Sequence, residues 1–146
     1  MQTTPTYDDV NLILKLYELR REDKLREARA FMGKYQASTP EEHLTLCPPG
    51  SPEDANFRMA VSYWDMAASF VTCGVLNQEL FLQSGQELLY VWEKVRDIVP
   101  AYRQLSKNPL MWDNLERVAK AAIERMNKAN PEAYPEFSKR VRGAAA

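Results

Sequence analysis

From Asn56 to Tyr102 large apolar residues recur every three or four positions, and no run alternates with period two for long enough to make a convincing strand. That spacing places Phe57, Ala60, Val61, Trp64, Ala67, Ala68 and Val71 on one stripe of a helix. Met59, Tyr63, Met66, Phe70 and Cys73 form a second stripe beside it. Two apolar stripes on one helix predict burial on most sides, hence a central position. The sequence therefore predicts an all-α fold, an irregular bundle of five to seven helices around an aromatic-rich core. At 146 residues, with 45% hydrophobic and 27% charged residues, the chain has the length and apolar content for one globular domain with its own core. The ordered core is expected over residues 6–130, followed by a C-terminal tail over 131–146.

Punctuation along the chain supports the same reading. Thr6 with Asp9 three residues on predicts a capping box and a helix start. Val10, Ile13, Leu14 and Tyr17, then Leu25, Ala28, Phe31 and Met32, follow at helical spacing and predict either one long, bent helix to about Lys34 or two helices meeting near Asp23, the single helix being favoured. Leu12, Leu16 and Leu19 lie off that stripe and form a second apolar face, which makes them the candidate interface. Thr39-Pro40-Glu41-Glu42 and Ser51-Pro52-Glu53-Asp54 are start signals, with proline where the missing amide costs nothing. Cys47-Pro48-Pro49-Gly50 separates the two helices they open. Gly74 is a natural stop, Asn77 a cap for a short helix, and a further helix begins near Gly85. Pro100 marks a kink or fresh start. Asn108-Pro109 predicts the opening of a helix with Trp112, Leu115, Ala119, Ala122, Ile123 and Met126 on one stripe, and Asn130-Pro131 its end.

The formal net charge of −1 excludes the basic excess expected of a nucleic-acid binder. The charge is nevertheless uneven. Residues 41–102 hold nine acids against three bases, and residues 116–146 four acids against seven bases. This asymmetry would draw the C-terminal segment onto the body of the domain, or offer a surface to a basic partner. Two cysteines without a Cys-x-x-Cys spacing predict no disulfide framework. Cys73, in an apolar stretch, is expected as a buried thiol. The N-terminus has no basic segment followed by an apolar one, so no signal peptide is expected, and Met66–Gln78 is too short an apolar run to span a bilayer. A cytoplasmic location follows as an expectation.

No motif supplies catalytic chemistry. His43, the only histidine, has no ligand or base partner at a recognisable spacing and is expected as an exposed helix-end residue. The five glycines make no phosphate loop, and no serine sits in a nucleophile elbow. No cofactor, metal or catalytic residue is predicted. The aromatic residues Tyr63, Trp64, Trp92, Tyr102 and Trp112, with Arg103, are the candidate lining of a ligand or partner cleft, since Trp and Tyr anchor interfaces. Asp65 and Arg103, flanking apolar stripes, are expected in structural ion pairs. The leading functional reading is a non-enzymatic interaction or scaffold module that binds an unknown protein partner or itself, with neither nucleic acid nor membrane insertion. An enzyme or small-ligand binder with an aromatic cleft is the alternative.

The stretches Leu25-Arg26-Glu27-Ala28-Arg29, Asn56-Phe57-Arg58, Leu76-Asn77-Gln78-Glu79-Leu80-Phe81 and Tyr90 to Arg103 resemble small bacterial helical domains of unknown function. The likeness covers roughly residues 8–116. Many such domains follow an N-terminal membrane anchor, which has no counterpart in this sequence. The resemblance implies a helical fold and brings no activity or functional residues with it.

Overall fold

The computed structural model describes residues 4–143 and contains, among them, nine α-helices and no strand. The helix count exceeds the expected five to seven because two segments divide, the opening one and the one from Glu87 to Ser106. In the first, the favoured single helix gives way to the other reading, two helices meeting near Asp23: α1 spans Tyr7–Arg20 and α2 spans Asp23–Lys34. Glu22 makes the break: its backbone is extended and its carboxylate accepts from the amides of Lys24 and Leu25, so it caps a new helix. Apolar spacing that stays in register across Arg21-Glu22 conceals this.

The other start signals, Asn108-Pro109 excepted, act as read. Thr6 and Asp9 form the reciprocal box. Thr39 caps α3 (Pro40–Leu46), Ser51 caps α4 (Pro52–Thr72) and Asn77 caps α5 (Gln78–Gln83). Gly74, at φ 82°, takes the left-handed conformation just past the end of α4. Then come α6 (Glu87–Val95) and α7 (Val99–Ser106), with Pro100 in the first turn of a fresh helix. Asn108-Pro109 does not open α8, which spans Asp113–Ala129. Asn108 instead closes a turn, its side chain accepting from Leu110 N and its carbonyl from Met111 N. The last helix, α9 (Ala133–Arg142), is the short helix that the C-terminal tail was able to form, and it buries Phe137. Residues 144–146, the end of that tail, lie outside the described residues.

The 21-residue α4 is the spine, packed chiefly against α2 on one side and α8 on the other. Ala60, Ala67 and Ala68 are buried on it and let neighbouring backbones approach closely, while Phe57, Val61 and Val71 fill the space between. α6 packs on α4, α8 and α9, and buries Leu88, Leu89, Val91, Trp92 and Val95. The second stripe of α4 is only partly covered, since Met59 and Met66 are exposed. Cys73 is exposed and Cys47 buried, the reverse of the expectation for Cys73. It ends α4 as the C-cap, past the last buried turn.

α1 is rotated relative to its predicted face. Of the predicted stripe Val10, Leu14 and Tyr17 are exposed and Ile13 is half-buried, whereas of the other face Leu16 is buried, Leu12 half-buried and Leu19 exposed. Asp9 supplies the reason. It lies on the Leu12–Leu16 face, and its carboxylate accepts from Thr6 N and from Asn77 N, both at 2.8 Å. Those backbone donors hold its carboxyl below the usual range and tie α1 to the start of α5. The Tyr63 hydroxyl donates to Leu16 O and fixes the same face.

Candidate functional site

The expectation for His43 is wrong in a productive way. The ring is 2% exposed, enclosed by Tyr35, Phe57 and Tyr102 at centroid distances of 5.8, 4.6 and 5.1 Å. Nδ1 is 2.8 Å from the Tyr35 hydroxyl and Nε2 is 2.7 Å from the Tyr102 hydroxyl. Four elements converge here: Tyr35 ends α2, His43 sits on α3, Phe57 on α4 and Tyr102 on α7. Burial lowers the His43 pKa, only partly opposed by Asp54. The neutral ring has one N–H and one acceptor nitrogen, so one tyrosine donates to it and the other accepts. Burial likewise pushes the Tyr35 phenol far up and the Cys47 thiol up to about 11. With both ring nitrogens engaged by tyrosine hydroxyls, this is a polar knot tying α2, α3 and α7 together. Sequence spacing could not show it, because its members are separated by up to 67 positions.

The six candidate cleft residues separate into groups. Tyr102, Arg103 and Trp112 gather at the α7–α8 turn, where Trp112 lies 4.9 Å from Tyr102 and 5.9 Å from Phe57 between ring centroids. Lys107 and Trp112 both hold left-handed backbone, at φ 56° and 57°, a strained conformation for a bulky residue such as Trp. Arg103 secures the turn: Nε donates to Met111 O at 2.8 Å and Nη1 pairs with Glu116 at 2.8 Å. Trp112 offers α8 no side-chain cap, and Asp65 of α4 fills that role by accepting from Leu115 N at 2.9 Å. Burial raises the Asp65 carboxyl, with that amide opposing. Tyr63 and Trp64 pack edge-to-face on α4, near α1, and Trp92 is in the core.

A buried carboxylate joins α6 to α9. Glu93, 1% exposed, accepts from Arg96 Nε at 2.9 Å, the Tyr134 hydroxyl at 2.7 Å and Ser138 Oγ at 2.5 Å. Arg142 of α9 pairs with Asp97 nearby. Two bases of the C-terminal segment thus meet acids of the central block, Arg142 with Asp97 just past α6 and Arg125 with Glu79 of α5. Beside this junction is a polar cleft of about 270 Å³, lined by Tyr35, Gln36, Ser38, Glu42, Glu93, Lys94 and Arg142. Among the described residues no group of His, Cys, Asp and Glu is disposed to hold a metal ion.

On the other side, between the α1–α2 corner and α4, lies a wide open trough of about 670 Å³. Its apolar lining is Leu19, Leu25, Met59, Tyr63 and Met66, with Glu22, Arg58 and Ser62 at the edges. Of the candidate interface residues only Leu19 reaches this surface.

A helical domain with a sealed aromatic–histidine knot and an open apolar trough is the class these features define. Within it the chain belongs to the family described as Domain of unknown function (DUF4760), which it matches over residues 5–122. The match takes in α1 to α7 and nearly three turns of α8, and so the knot and the trough. Neither a curated protein nor a solved structure matches the chain. Among the described residues no helix is long and apolar enough to cross a membrane.

Proposed function

We propose that the protein is a non-enzymatic, cytoplasmic interaction module, and that the trough between the α1–α2 corner and α4 receives an amphipathic helix of a protein partner. One observation carries this reading: Leu19, Met59 and Met66 are each about 40% exposed while lining one concave, mainly apolar surface. Contiguous exposed apolar area with a polar rim is the usual mark of a protein-binding face. Methionine suits it, because the unbranched thioether adapts to the side chains of the incoming helix. Helix-in-groove recognition would place leucine-like anchors against Met59 and Met66 and opposite charges near Glu22 and Arg58.

The test is a pair of substitutions, Met59→Glu and Met66→Glu. Both sites are exposed, so the double variant should melt within about 2 °C of the parent. A partner that co-purifies with the parent should be lost from the variant, and the complex should re-form from the purified components with the parent only. Retention of that partner by a folded double variant would remove the trough from the interface. Concentration-dependent self-association abolished by the same variant would make the partner a second copy of the chain.

A further inference from the structure

The polar cleft between the α2–α3 connection and the α6–α9 pair contains a cation that the fold does not compensate. Glu93 and Asp97 are balanced there by Arg96 and Arg142. The ammonium of Lys94 is left over. Among the described residues no carboxylate lies within ion-pair distance of it. Its contacts are Tyr35 O at 3.2 Å and the face of the Tyr90 ring at 5.6 Å. An ammonium has three donors, so two have no acceptor among the described residues. Glu42 also faces the cleft, but its carboxylate is solvated and committed to the Thr39 hydroxyl and Ser38 amide in capping α3. Glu93 already accepts from three donors. Within the described residues the Arg142 guanidinium bonds only through Nη2, to Asp97, and the Ser38 hydroxyl makes no hydrogen bond.

We propose that this cleft is a binding site for a small oxyanion, a carboxylate or phosphate group, with Lys94 as its counter-ion and Arg142 and Ser38 as further donors. The cleft volume of about 270 Å³ admits a ligand of a few carbon atoms beyond the anionic group. Charge-assisted hydrogen bonds from Lys and Arg to such oxygens are the stronger kind. Partial burial of Lys94 makes the pairing worth more than on open surface, because water screens it less. The site is remote from the trough, so it stands or falls independently of the interaction reading.

The test is a ¹H–¹⁵N titration of the full chain with inorganic phosphate and, separately, with succinate, at constant ionic strength set by chloride. Saturable shifts confined to the backbone amides of Ala37, Ser38, Lys94 and Arg142 are expected with at least one of the two. Lys94→Met should weaken them roughly tenfold or more, Lys94→Arg should restore part of the affinity, and Lys24→Met, which removes an equal charge from exposed α2, should leave it unchanged. The spectrum itself reports whether each variant is folded, and Lys94→Gln replaces Lys94→Met if the latter is not. Saturation by phosphate alone or by succinate alone identifies the source of the anion. Shifts that fail to saturate, spread over the surface, or persist equally in a folded variant lacking the Lys94 charge overturn the proposal.

Discussion

At the scale of the residue, His43 shows how a group with no sequence signal becomes the centre of the polar interior. Its ring is held neutral by burial, and protonation would require both tyrosine hydroxyls to accept from it. The unfolded chain binds that proton near pH 6.5, whereas the folded chain binds it only at lower pH. The unfolded state therefore carries more protons through this window, and stability rises with pH across it. The melting temperature of the parent should fall as the pH is lowered from 7 to 5, beginning near 6.5. His43→Gln, which keeps hydrogen-bonding capacity but does not titrate, should melt lower at pH 7 and show a flatter profile from 7 to 5. Parallel profiles for the two proteins would show that His43 does not set this dependence. Carboxylates with lowered pKa, such as Asp9, Glu79 and Glu116, lose their contribution at more acidic pH and so fall outside the window.

At the scale of the element, α1 is the clearest case of two apolar faces competing for one core. Periodicity alone favours the stripe through Val10, Leu14 and Tyr17, which is larger and more aromatic. The face that wins carries Asp9, whose carboxylate caps its own helix and also receives the Asn77 amide. A polar anchor outweighs a few more methylenes, because leaving the Asn77 amide or the carboxylate unpaired in this partly buried setting costs about 1–3 kcal/mol. The consequence is measurable. Leu14→Ala, at an exposed position, should change stability by less than about 0.5 kcal/mol. Leu16→Ala, at 5% exposure, should cost about 2–4 kcal/mol. Denaturant unfolding of the two variants decides the matter, and equal costs would mean that α1 does not hold this orientation in solution. The break between α1 and α2 has the same character: Glu22 serves as a cap, which a glutamate in an uninterrupted apolar rhythm does not advertise.

For the whole molecule, the integrating element is α9. It lies beyond the span matched by the family, yet it covers Phe137 and supplies two of the three donors to Glu93. A chain ending at Asn130 would leave Glu93 with Arg96 alone and open the apolar seat of Phe137. Loss of two of the three charge-assisted hydrogen bonds to Glu93 costs about 3 kcal/mol, and loss of the phenylalanine adds about 2–3 kcal/mol. Truncation after Asn130 should therefore lower the melting temperature by about 10 °C or more. A truncated chain that melts with the full-length protein would make α9 an appendage.

The sequence by itself determined the helical class, most helix starts and the identity of α4 as the spine. These rest on local physics: a cap needs only a short polar side chain and a proline at the right place, and an amphipathic rhythm repeats every few residues. Leu88, Leu89, Trp92, Leu115 and Ala119 were legible as inward-facing for the same reason. Only the tertiary structure decided which face of α1 turns inward, that Cys47 rather than Cys73 is buried, and that His43 lies between two tyrosines 67 positions apart in the chain. It also separated Tyr102, Arg103 and Trp112 from Tyr63 and Trp64, and left the trough and the Lys94 cleft open. Each of these depends on hydrogen bonds or uncovered surface between segments distant in sequence. Their free energy is settled by what the fold brings alongside, and no local pattern contains that information.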